Sequence, residues 1–148
     1  MKDQLRVRAT LRIFGAPDHH DSLSSLPGFE GSHHDRSDTN VFGHDVWLLP
    51  APDRSALPGD QCAALAHLVE PHVDALRAAI ADADDADLCL SWFQVGGGGG
   101  GLAAIPHACL QILRTLPLGI SLNVDVMTKP YRRRVLVRKP RRAGRRRR

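Results

Sequence analysis

The sequence predicts an α+β fold, in which a mainly antiparallel sheet of about four strands carries helices on one face. Three observations lead there. Apolar and polar residues alternate strictly over Leu5–Ile13 and Ile120–Val126, the period of half-buried strands. Apolar stripes at helical spacing occupy the stretches 60–80 and 107–116. The order strand, loop, strand, helices, strand, helix, strand fits helices layered on a sheet.

The opening strand places Leu5, Val7, Ala9, Leu11 and Ile13 on one face and Arg6, Arg8, Thr10 and Arg12 on the other, and Gly15-Ala16-Pro17 ends it. Residues 16–45 are polar and rich in Gly, Ser, His and Asp, so they read as a loop with one helical turn near Asp21–Leu26. Val46-Trp47-Leu48-Leu49 is a short strand closed by Pro50-Ala51-Pro52. Asp60 is the expected cap of a helix reaching Val69, with Leu65, Leu68 and Val69 inward. Pro71 lacks an amide and clashes one turn back, which breaks or kinks the helix near Glu70. A second helical piece carries Val73, Leu76 and Ile80 and frays in the acidic run Asp82–Asp87.

Leu88–Val95 is the next strand. The six glycines Gly96–Gly101 have no side chain to pack and read as a loop. Leu102–Ile105 is briefly extended. Pro106 then opens a helix with the stripe Cys109, Ile112, Leu113 and Leu116, ending near Pro117–Gly119. Ile120–Val126 is the last strand.

The net charge of +4 averages two opposite regions. From Lys129 onward the chain holds 12 basic residues and no acid, leaving 8 basic against all 16 acidic residues in 1–128. The expected organisation is one acidic α+β domain over 1–128 and a basic tail over 129–148. In the tail, Arg132, Arg133, Arg134, Arg138, Lys139, Arg141, Arg142, Arg145, Arg146, Arg147 and Arg148 are the candidate polyanion-binding residues. Such a run attracts RNA or DNA phosphates in a salt-dependent, largely sequence-independent way. Tyr131 is its single aromatic residue, which argues against base-specific reading.

The chain resembles the bacterial domain-of-unknown-function 4279 family from about Val7 to Met127. The pieces that carry the resemblance are Ala9-Thr10-Leu11-Arg12-Ile13-Phe14-Gly15, the tryptophan of Val46-Trp47-Leu48-Leu49, His67-Leu68-Val69-Glu70-Pro71, and Leu118-Gly119-Ile120-Ser121-Leu122-Asn123-Val124-Asp125-Val126. The glycine run and the arginine tail depart from the family's pattern. The resemblance implies a fold and no activity, cofactor or catalytic residue.

Motif by motif, enzymatic readings find little anchor. Five histidines and five aspartates share 18–45, and His19, Asp21, His33 and His44 are the candidate ligands if that loop holds a metal. A solvated polar loop is the favoured reading, because no HExxH or CxxC spacing is present. His67 and His72, five apart around Pro71, read as structural or exposed. The glycine run satisfies a dinucleotide fingerprint only as a homopolymer does, and the following helix starts too late to meet a pyrophosphate. No GxSxG elbow exists. Asp82, Asp84, Asp85 and Asp87 lack the glycine and glutamate of a calcium loop. Cys62, Cys89 and Cys109 sit on apolar stripes and read as buried free thiols, and their odd, sparse count fits a reducing compartment.

No apolar run reaches the roughly 18–20 residues needed to cross a bilayer, and no signal-peptide pattern opens the chain. The expectation is a cytoplasmic, non-enzymatic protein-interaction domain without a cofactor, whose acidic body masks a basic partner as an immunity-type protein masks a toxin. The alternatives are a nucleic-acid-associated accessory protein acting through its tail, and a metal-dependent enzyme using the histidine loop.

Overall fold

The computed structural model describes residues 4–38, 43–52, 57–95 and 106–127. The glycine run, Leu102–Ile105 and the basic tail with all its candidate arginines lie outside the described residues.

Among the described residues five strands form one mixed sheet in the order β2-β3-β1-β4-β5. β1 (Gln4–Phe14) is its centre. It pairs antiparallel with β3 (Val46–Pro50) from Thr10↔Pro50 to Phe14↔Val46, and with β4 (Asp85–Val95) along its whole length. β5 (Gly119–Met127) runs parallel to β4. Two expectations are corrected here. The sheet is mixed rather than mainly antiparallel, because the helix between β4 and β5 carries the chain back to the same end. It has five strands rather than about four, because β2 (His33–Asp35) pairs with β3 inside the presumed loop. Polar His33-His34-Asp35 has no apolar alternation, so only tertiary pairing makes it a strand.

The helices are α1 (His20–Ser24), α2 (Pro58–Val69), α3 (Val73–Asp82) and α4 (His107–Thr115). Pro71 acts as the sequence predicts: a 3₁₀ turn over Glu70–His72 separates α2 from α3. α2 starts before Asp60: the N-cap position is Leu57, and Pro58 and Asp60 both lie in the first turn. α3 ends at Asp82, at the start of the acidic run as expected, and the rest of that run leads into β4, where Asp85 and Ala86 pair with Phe14 and Ile13.

The predicted inner face is the core. Val7, Ala9, Leu11 and Ile13 of β1 meet Leu88 and Leu90 of β4, Trp47 and Leu49 of β3, and Leu65, Val69, Leu76, Ala79, Ile112 and Leu116 of the helices. Each fully buried leucine contributes about 1.5–3 kcal/mol. β3 ends at Pro50, so the β1 backbone around Val7–Ala9 loses its strand partner there. Gln61 of α2, buried, replaces it: its Oε1 accepts the Ala9 amide at 2.9 Å and its Nε2 donates to the Val7 carbonyl at 2.6 Å.

One expectation about the cysteines fails. Cys62 of α2 and Cys109 of α4 are joined by a disulfide with 5.4 Å between Cα atoms, and only Cys89 is free. The helix packing brings the pair together across 47 residues of sequence, a distance at which spacing carries no signal. Cys89 also leaves the apolar stripe: its Sγ lies 3.5 Å from Asn123 Nδ2 and 3.6 Å from Ser91 Oγ.

Candidate interaction surface

One end of the sheet collects most of the histidine and aspartate chemistry. There Phe14 pairs with Asp85 and Val46, and Asp35 pairs with Val46, so the ends of four strands meet. The turn that leaves β1 is tight. Gly15 has φ +79°, a backbone conformation that L side chains rarely adopt, so the turn favours glycine there. The Gly15 amide donates to the Asp45 carbonyl at 2.7 Å and the Asp84 amide to the Phe14 carbonyl at 2.9 Å.

That turn launches α1 and brings the imidazoles against carboxylates from distant segments. His19 Nε2 lies 2.6 Å from Asp82 Oδ2, and His44 Nδ1 lies 3.2 Å from Asp84 Oδ2. His34 Nε2 approaches Asp45 Oδ1 at 3.6 Å. Asp45 also accepts the Ser37 amide, which holds its carboxyl below the usual range, helped by His34. His20 is buried at 1% exposure. Its Nε2 donates to the Gly15 carbonyl at 2.9 Å, and its ring meets His34 edge-on at 4.4 Å. Among the described residues Nδ1 of His20 has no hydrogen-bond partner and is buried, and burial pushes the imidazole below its usual pKa.

The four metal candidates are placed as follows. His19 pairs with Asp82 and His44 with Asp84. Asp21 is exposed in the first turn of α1, and His33 is exposed on β2. Among the described residues no three His, Cys, Asp or Glu side chains gather closely enough to hold a metal ion. Sequence reasoning counted His20, His34 and Asp45 in the loop without singling them out, and left Asp82 and Asp84 in a separate acidic run, since the partners come from different elements.

Electrostatically this end is an acidic rim: Asp82 and Asp84 each expose two thirds of their side chains, and Asp18, Asp21 and Asp85 are exposed beside them. Such a rim attracts cations and basic surfaces. A second feature is a cleft of about 380 Å³ between α2, α3 and α4. Val69, Val73 and Ile112 line it together with His67, Glu70, Gln111 and Thr115. His72 is structural: its Nε2 donates to the Pro27 carbonyl at 2.7 Å and its ring packs on Phe29.

No helix among the described residues is long and apolar enough to cross a membrane. No family model matches the chain, and neither a curated protein nor a solved structure matches it.

Proposed function

We propose that this protein is a non-enzymatic interaction domain that docks a basic protein partner on the acidic end of its sheet, in the manner of an immunity-type protein. The observation that supports the reading is the gathering of exposed Asp18, Asp21, Asp82, Asp84 and Asp85 at one end. It agrees with the excess of acids over residues 1–128. Membership of the bacterial domain-of-unknown-function 4279 family belongs to the same proposal and rests on the sequence pieces named above.

The test is capture of a partner from native cells by the full chain, compared with the Asp82→Lys/Asp84→Lys variant. Both positions are exposed, so the variant should fold. The reading expects a basic protein whose binding weakens with salt and falls at least about tenfold in the variant. Equal binding by both proteins would remove the acidic end from the interface.

A second reading rests on the 12 basic residues after Met127: an accessory protein that binds RNA or DNA through Arg132–Arg148. Its test is the affinity for single-stranded RNA across a salt series, for the full chain and a 1–128 truncation. Tight binding by the full chain alone, falling steeply with salt, supports the tail. Cytoplasmic location completes the leading reading, and the Cys62–Cys109 pair checks it. The disulfide described above weighs against that location: thiols trapped by acid and alkylated at lysis would be reduced in a cytoplasmic protein, and a bonded pair would overturn this part of the reading.

A further inference from the structure

The two edges of the sheet differ in kind. β2 is three residues long and carries two histidines and an aspartate. β5 is nine residues long, from Gly119 to Met127, and among the described residues nothing pairs with its outer side. It lacks the devices that normally protect an edge, having no lysine, no proline and one charge, Asp125. Leu122 stands 48% exposed on it.

We infer that β5 is a dimerisation edge, pairing antiparallel with β5 of a second copy of this chain. The segment is self-complementary about Asn123. In that register Leu122 stands opposite Val124 of the other copy, Ile120 opposite Val126, and Ser121 opposite Asp125, so apolar positions meet apolar ones. Neither Asp125 meets its own counterpart, which avoids like charges directly opposed.

Charge also selects the direction of pairing. Each β5 leads into a stretch with 12 basic residues and no acid. Antiparallel pairing sets the two Met127 positions about 27 Å apart, eight residues at about 3.4 Å each. That exceeds the Debye length of about 8 Å at physiological salt, so the tails leave from opposite ends largely screened from each other. Parallel pairing would start both basic runs side by side. The arrangement is a closed twofold contact and consumes both copies' open edges.

The test is sedimentation equilibrium of the full chain from about 1 to about 200 µM, the range in which a moderate dimer populates both states. Amide hydrogen exchange of β5 is followed at both extremes. The expected result is a species of twice 16.2 kDa at high concentration, with the β5 amides that face away from β4 protected only there. Leu122→Lys should weaken association about tenfold or more, while Leu110→Lys, at an exposed position of α4, should leave it unchanged. A monomer throughout overturns the inference. So does a dimer whose β5 amides exchange equally at both concentrations, and that readout decides the matter even if Leu122→Lys fails to fold.

Discussion

The side-chain amide of Gln61 lies 2.9 Å from the backbone amide of Ala9, across 52 residues of sequence. With the bond from Gln61 Nε2 to the Val7 carbonyl, one helical residue finishes the hydrogen bonding of the central strand where β3 stops. Gln61→Leu would leave a buried donor and a buried acceptor unpaired. The expected loss is about 2–6 kcal/mol in urea unfolding, at about 1–3 kcal/mol for each of the two orphaned groups. A loss below about 0.5 kcal/mol would mean that water replaces the side chain there.

Cys62 and Cys109 close a loop with a sequence separation of 47. Chain-entropy arithmetic for a loop of that length gives about 4 kcal/mol of stabilisation. Cys62→Ala/Cys109→Ala, or full reduction of the wild type, should lower stability by roughly that amount in denaturant titrations. An unchanged midpoint in reductant would show that the pair is not bonded in solution.

His20 predicts a loss of stability in mild acid. Burial lowers its pKa, against the raising effects of the Gly15 carbonyl, Asp45 and Asp21; His34 adds to the lowering. Above the ordinary value of 6.5 the imidazole is neutral in both states and contributes nothing. As the pH falls below 6.5, the unfolded chain takes up a proton that the folded one resists, and stability drops until the folded pKa is passed. Asp45, also lowered, acts in a separate window below its ordinary 3.8, losing its stabilising contribution as the pH falls further. His20→Gln keeps a donor for the Gly15 carbonyl and should flatten the first window only. A stability curve with the same slope just below pH 6.5 in both proteins would discard His20 as the cause.

Arg12 and Asp87 form a two-armed ion pair across β1 and β4. Nε lies 2.7 Å from Oδ1 and an outer nitrogen 2.5 Å from Oδ2, with side chains only 12% and 10% exposed. The bond to Asp87 raises the arginine's pKa further, and the Ser121 hydroxyl donates to the same carboxylate from β5. Asp87→Ala should cost about 3–5 kcal/mol, because it strands a largely buried guanidinium. Arg12→Met/Asp87→Leu should recover most of that loss. A double variant no more stable than Asp87→Ala alone would contradict this account.

Much of the fold was legible because it depends on local periodicity. Leu5–Ile13 alternates, and those of its residues with described side chains, from Val7 on, bury the predicted inner face. Pro71 lacks an amide, and the helix breaks at it. The candidate surface was legible only as composition. A histidine-rich loop can be counted, but the pairing of His19 with Asp82 spans 63 residues and that of His44 with Asp84 spans 40. Spacing rules for helices and strands describe neighbours within a few residues and say nothing about such pairs.

What the sequence determined alone is the set of strands with an apolar face, the helices that cover it, and the separation of an acidic body from a basic tail. Tertiary structure decided three further things: that His33–Asp35 becomes a strand, that β5 runs parallel to β4, and that Cys62 meets Cys109. Each depends on which distant segment lies alongside. That choice is made by the whole core burying its apolar area at once, and no local pattern of residues records it.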